Sequence, residues 1–136
     1  MGEFRATIRT LENAADTEAT GAWVVDHHLT ERAVIDVEFL SGGHLLHLAV
    51  AGCLFNDLLR EAPNRGITID HLAVSAHGDF DQDGSRGVHY AIEIRSANDR
   101  SAVERLIDDI EVEATIPKAL RTGFPVDSAG STVTTG

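Results

Sequence analysis

Phe4, Ala6 and Ile8 alternate with Arg5, Thr7 and Arg9, a period of two that predicts a strand over Phe4 to Thr10 with one apolar and one wet face. The small polar run LENAADTEATG that follows predicts a turn or loop. Two more strand-like runs, Ala22 to His27 and Ala33 to Phe39, are joined through HHLTER, and three strands in succession suggest a meander. Ser41-Gly42-Gly43 then breaks the alternation. The next segment is apolar at positions 45, 46, 48, 49, 53, 55, 58 and 59 and keeps its polar residues at its ends, which predicts a helix stopped by Pro63 and Gly66.

A helix with no wet side over its central turns must be covered on nearly every side, by a sheet and by a further layer such as a second subunit. Beyond it, Ile67 to Ala76 and Val88 to Ser96 predict two strands around the turn HGDFDQDGSRG. In the second of these, Val88, Tyr90, Ile92 and Ile94 share one face, and His89, Glu93 and Arg95 share the other. Ser101 and Glu104 match a capping box in front of a helical stripe of Val103, Leu106, Ile107 and Ile110. Ile116 to Leu120 predicts a short helix with Pro117 in its first turn, and FPVDSAGSTVTTG predicts a last strand with a loose tail. The order is βββ-α-ββ-α-(α)-β, an α+β class, with residues 1–136 expected to form a single domain.

Composition narrows the function classes. Hydrophobic residues make up 43% and charged residues 24%, ordinary globular usage. The formal net charge of -11 repels phosphate backbones and anionic lipid heads, so neither nucleic acid nor membrane is an expected partner. No apolar run reaches the ~18 residues of a membrane span, and MGEFRATIRTLENA lacks a signal-peptide pattern, so a cytoplasmic protein is expected. A single cysteine, Cys53, excludes an intrachain disulfide and agrees with a reducing compartment. Glycine-rich nucleotide loops, CxxC pairs and GxSxG elbows do not occur, so no cofactor is expected.

HLLHLAVAGCLFNDLLREA followed by RGITIDHLAVSAHGDF resembles the central helix and next strand of the OsmC/Ohr family, the osmotically inducible and organic-hydroperoxide-resistance proteins. ATIPKALRTGFPV is similar to the segment around that family's second cysteine and following proline. The resemblance spans about Gly42 to Val126. It implies an OsmC-like fold with antiparallel sheets wrapped around a long buried helix, an intertwined homodimer, and one site per subunit at the interface. It also implies a role in the oxidative stress response or detoxification, as a peroxidase in which a cysteine thiolate attacks the O–O bond.

Carried over by position, Cys53 stands where the attacking thiol belongs, and Ile116 stands where a resolving cysteine is expected. Gly43 replaces the family's glutamate, with His44 beside it. The first hairpin has no Gly-Gly-Arg-like motif, leaving Arg9 as the only nearby arginine. Two functional readings with a ligand follow, beside a third in which the protein is an interaction or structural dimer with none. In the first, the protein reduces small organic hydroperoxides through Cys53 with an external thiol. In the second, it keeps an interfacial pocket that binds or transforms a small hydrophobic molecule without redox chemistry.

On residue chemistry alone, Cys53 reads either as an inert core thiol or as a site residue, because a thiolate needs a cation, a helix N-terminus or a proton acceptor and Cys53 lies beyond the first turn of its own helix. Arg5, Arg9, Arg32, His27 and His28 are the candidate partners. His44 and His47 share a helix face; with His27 and His28 they form a set that spacing alone does not force into a metal site, so none is expected. A pocket role is the alternative for His44 and His47. Asp79, Asp81, Asp83 and Gly84 follow the first half of a calcium loop, but Tyr90 stands at its twelfth position, so a hairpin turn is the reading.

Overall fold

Ser41 starts the central helix α1 (Gly42–Glu61) by accepting a hydrogen bond from the His44 N–H at 3.2 Å. Val50, Ala51, Leu54 and Leu58 then recur at helical spacing and are all 0% exposed. Burying each of the larger ones contributes roughly 1.5–3 kcal/mol. The helix runs into a 3₁₀ turn over Ala62–Arg65 and stops at Gly66, whose φ of 69° places it in the left-handed region. This computed structural model describes residues 3–11 and 22–135; the loop expected over 11–21 lies outside them from residue 12 on.

α1 packs across one face of a six-stranded sheet ordered β2-β3-β1-β4-β5-β6. The strands are β1 (Phe4–Thr10), β2 (Ala22–Asp26), β3 (Arg32–Val37), β4 (His71–Asp81), β5 (Gly84–Arg95) and β6 (Val126–Thr134). α2 (Arg100–Glu113) and α3 (Thr115–Leu120) connect β5 to β6, and both touch α1. The element order and the α+β class agree with the sequence reading. Ala6 and Ile8 on β1, Leu72, Val74 and Ala76 on β4, and Val88, Tyr90, Ile92 and Ile94 on β5 are buried, as the alternation on those strands predicts.

The topology departs from the expectation in three places. The first three strands are no meander: β2 and β3 form a hairpin, and β3 rather than β2 lies beside β1. The connection from Thr10 to Ala22 is far longer than a tight hairpin turn needs, so the chain is free to place β1 between β3 and β4, where both of its edges are hydrogen-bonded. β6 runs parallel to β5, against the expected all-antiparallel sheet. Its return through α2 and α3 is the crossover that a parallel pair requires. The strands flanking the second hairpin are displaced, with β4 starting at His71 and reaching Asp81, a register shift between Gly78 and Phe80, and a turn reduced to Gln82 and Asp83.

The cap of α2 also differs. Asp99, not Ser101, is the N-cap, and its carboxylate accepts from the Ala102 N–H at 3.2 Å. The expected stripe of Val103, Leu106, Ile107 and Ile110 is buried as a unit.

Candidate functional site

Cys53 lies in the middle of α1 on a flank facing α3, partly buried, and it is a free thiol. The backbone N–H of Ile116, in the first turn of α3, donates to Sγ at 3.5 Å. The position aligned with a resolving cysteine is therefore the one that touches the thiol, through its main chain. Among the described residues no charged group is hydrogen-bonded or ion-paired to Cys53.

His44, His47 and Arg9 are engaged elsewhere in the chain. His44 Nδ1 is 2.6 Å from Ser41 Oγ, and its ring sits between those of Phe4 and Phe39. At 100° per residue His44 lies on the opposite side of α1 from Cys53 and roughly 13 Å away along the axis. His47 Nδ1 is 2.7 Å from the Gly43 carbonyl oxygen. Its ring is stacked parallel to Phe4 at 6.1 Å and meets Phe80 edge-on at 5.9 Å. Burial lowers the His47 pKa below the ordinary imidazole value, and the neighbouring His44 and His77 act in the same direction. Arg9 Nε is 3.2 Å from Asp36 Oδ2, on the sheet face away from α1.

The other candidate partners are equally placed. Arg5 pairs with Glu3 at 3.3 Å, and Arg32 is exposed at the start of β3. His27 accepts from the Leu29 N–H at 3.1 Å and stacks on His28, with its edge against Phe55. Its pKa is lowered by burial and by His28.

Gly43 shows why no carboxylate stands at the start of α1. A Cβ there would lie 2.5 Å from Phe4 Cε1, so the Phe4 ring fills the space that any side chain at position 43 needs. Sequence reasoning missed this pairing; its one signal is an isolated aromatic on β1 set against a glycine pair at a helix start.

Among the described residues no group of three or more His, Cys, Asp or Glu side chains is placed to hold a metal ion. The acidic turn is closed by its own backbone, with Asp81 accepting from the Asp83 N–H and Asp79 from the Phe80 N–H, both at 2.8 Å. Tyr90 points into the core, where its hydroxyl donates to Glu111 at 2.7 Å; burial and that carboxylate push its pKa up. No helix among the described residues is long and apolar enough to cross a membrane.

The sequence model of the family described as OsmC-like protein matches residues 36–129. Among solved structures, the chain is similar to an OsmC-like protein from Mycoplasma pneumoniae, with 18% identity, 83% of this chain and 95% of that chain covered, and a TM-score of 0.63. It is similar to an OsmC-like hydroperoxide resistance protein from Jannaschia sp. CCS1, with 15% identity, 88% and 87% covered, and a TM-score of 0.58. A hypothetical protein from Aquifex aeolicus VF5 covers 94% of this chain and 96% of its own, with 10% identity and a TM-score of 0.62. No curated protein matches in sequence. Identities this low show a shared fold.

Proposed function

The chain belongs to the OsmC-like protein family, and from that premise we propose that it is a dimeric cytoplasmic, thiol-dependent reductase of small organic hydroperoxides, with Cys53 as the attacking residue. The observation that carries this reading is the contact between Cys53 Sγ and the Ile116 N–H on a partly open flank of α1. The Ile116 N–H is one of the donors that the start of α3 leaves without a helical partner, and it is turned onto the sulfur.

The Cys53 thiolate attacks the terminal oxygen of RO–OH, forming S–O while O–O breaks, and the alkoxide leaves as ROH after taking a proton. With no second cysteine in the chain, the sulfenic acid condenses with an external low-molecular-weight thiol, releasing water. A second molecule of that thiol attacks the mixed disulfide, restoring Cys53 and releasing the disulfide of the external thiol. An assay of a small alkyl hydroperoxide with excess thiol tests this: wild-type protein consumes the peroxide, and Cys53→Ser falls to the uncatalysed rate. Equal inactivity of both points to the second reading, a pocket for a small hydrophobic molecule. That reading draws on the absence, among the described residues, of any charged partner at Cys53.

The dimer rests on apolar surface left bare by one chain. Phe39, Leu40, Leu45, Val112 and Ile116 are 57%, 56%, 49%, 71% and 37% exposed, and Leu45 and Ala49 lie exposed along one side of α1 with Gly52 half-buried beyond them. A second copy laying its own α1 on this stripe would give the helix the cover that its sequence demands. Gly52 is the close-approach position: a Cβ there meets nothing within 4 Å among the described residues of the single chain. Gly52→Leu should leave the fold intact, since Leu is a better helix former than Gly by roughly 0.8 kcal/mol, while shifting the protein toward monomer in light scattering. A Gly52→Leu protein that stays as dimeric as wild type would remove α1 from the interface.

A further inference from the structure

His47 carries a feature that the proposed reaction does not use. Its side chain is 0% exposed, and Nε2 has no hydrogen-bond partner among the described residues. The Gly43 carbonyl can only accept, so the 2.7 Å contact fixes the proton on Nδ1 and leaves Nε2 as a bare lone pair. That lone pair faces Gly78 on β4, where a Cβ would lie 2.7 Å from it. The space beside it is closed by Phe4 and Phe80, and Phe4 also covers Gly43 and His44.

We propose that His47 is an acid-released latch, holding the first turns of α1 to the start of β1 and to the β4–β5 bulge while neutral and letting them part when protonated. A neutral ring fits the cage with only an unmet acceptor. A second N–H at Nε2 would be a buried donor on a buried cation with no hydrogen-bond partner among the described residues, which favours opening of the cage.

The charged and titratable groups around the ring give little relief. On α1, His44 is held by Ser41. On β4, His77 opposes a positive charge at His47, its own Nδ1 is buried without a partner among the described residues, and on β5 His89 lies against it at 5.6 Å. The Asp79 carboxylate accepts from the Phe80 N–H. Among the described residues the Gly43 carbonyl at Nδ1 and, more weakly, Glu3 ahead of β1 favour the cation against burial, and Glu3 is paired with Arg5.

The sign follows from the lowered pKa. The open form binds a proton near the ordinary value of about 6.5, and the closed form binds one only at lower pH. The closed form therefore has its full advantage above about 6.5 and loses it as pH falls through the closed-state value, about tenfold per unit of difference.

Hydrogen exchange followed by mass spectrometry, expressed as protection so that intrinsic rates cancel, tests the latch between about pH 7.5 and about pH 5. Segments 3–10 and 42–48 should lose protection by about tenfold or more, while α2 keeps its own. His47→Phe should remove the loss, and His44→Gln should retain it. Loss persisting in His47→Phe, or no loss in wild type, overturns the latch. If His47→Phe does not fold, imidazole NMR on wild type decides. A His47 with Nδ1–H at neutral pH and a depressed titration coincident with the loss supports the latch, and a ring titrating at the ordinary value with protection unchanged overturns it.

Discussion

Gly78→Ala should destabilise the protein by roughly 3 kcal/mol, the upper end of what overpacking in a core costs, read as a lower denaturant midpoint with an unchanged slope. Gly78 is buried on β4, opposite Val88 on β5 and immediately before the register shift that ends at Phe80. A Cβ at this position would collide with the Gly87 carbonyl oxygen and would lie 2.7 Å from His47 Nε2. The nearer obstacle is backbone, which cannot rotate aside as a side chain can, so trimming His47 should not rescue the alanine. Gly87 itself has a φ of 111° and donates its N–H to Ser85 Oγ at 3.0 Å, so β5 is committed to this path as well. An alanine tolerated within about 0.5 kcal/mol, the range of an ordinary surface change, would mean that β5 and α1 yield together, and that the bulge is not the fixed point on which α1 rests.

The parts of this structure that could be read from sequence are those written in side-chain periodicity. α1 announces itself by an apolar run between a Ser-Gly-Gly break and a Pro-Gly stop, and β5 by the alternation of Val88, Tyr90, Ile92 and Ile94. The order of strands is different in kind. Nothing in Phe4 to Thr10 says that β1 pairs with β3 and β4 rather than β2, because each strand offers the same two faces and pairing is chosen by what the connections permit. The cap of α2 went to Asp99 over Ser101 because both residues suit an N-cap and only backbone geometry separates them, with ψ at Asp99 near 129° outside the helical region.

The site divides along the same line. Cys53 and position 116 were legible as a pair through resemblance to a family, whereas the donor that touches the sulfur is a main-chain N–H, which every residue except proline carries. His44 and His47 were legible as one helix face, but their environment comes from Phe4 and Phe80, far apart in sequence. The apolar girth of α1 predicted more cover than one chain supplies, and the bare stripe at Leu45 measures that shortfall.

Ile116→Cys should turn the one-cysteine chain into one that closes an internal disulfide. The residues are 63 apart in sequence, yet the backbone nitrogen of one lies 3.5 Å from the sulfur of the other. A cysteine at 116 therefore starts within a residue's reach of its partner, and Ile116 is partly exposed, so exchanging it for a smaller side chain removes little from the core. Linking two positions that enclose so long a loop restricts the unfolded chain, worth about 4 kcal/mol in the chain-entropy account. Oxidised Ile116→Cys should melt well above its reduced form, and mass spectrometry should find it two hydrogens lighter and refractory to alkylation. Its reaction should change too. With peroxide and no added thiol, wild-type Cys53 should stop as sulfenic acid or oxidise further, whereas the variant should resolve to the disulfide within the chain. A variant left fully alkylatable after oxidation would show that the side chain at 116 turns away from Cys53 and that only its main chain serves the sulfur. A disulfide that forms with an oxidising thiol pair but never with hydroperoxide would separate geometry from reactivity, locating the two sulfurs correctly while removing Cys53 from peroxide chemistry.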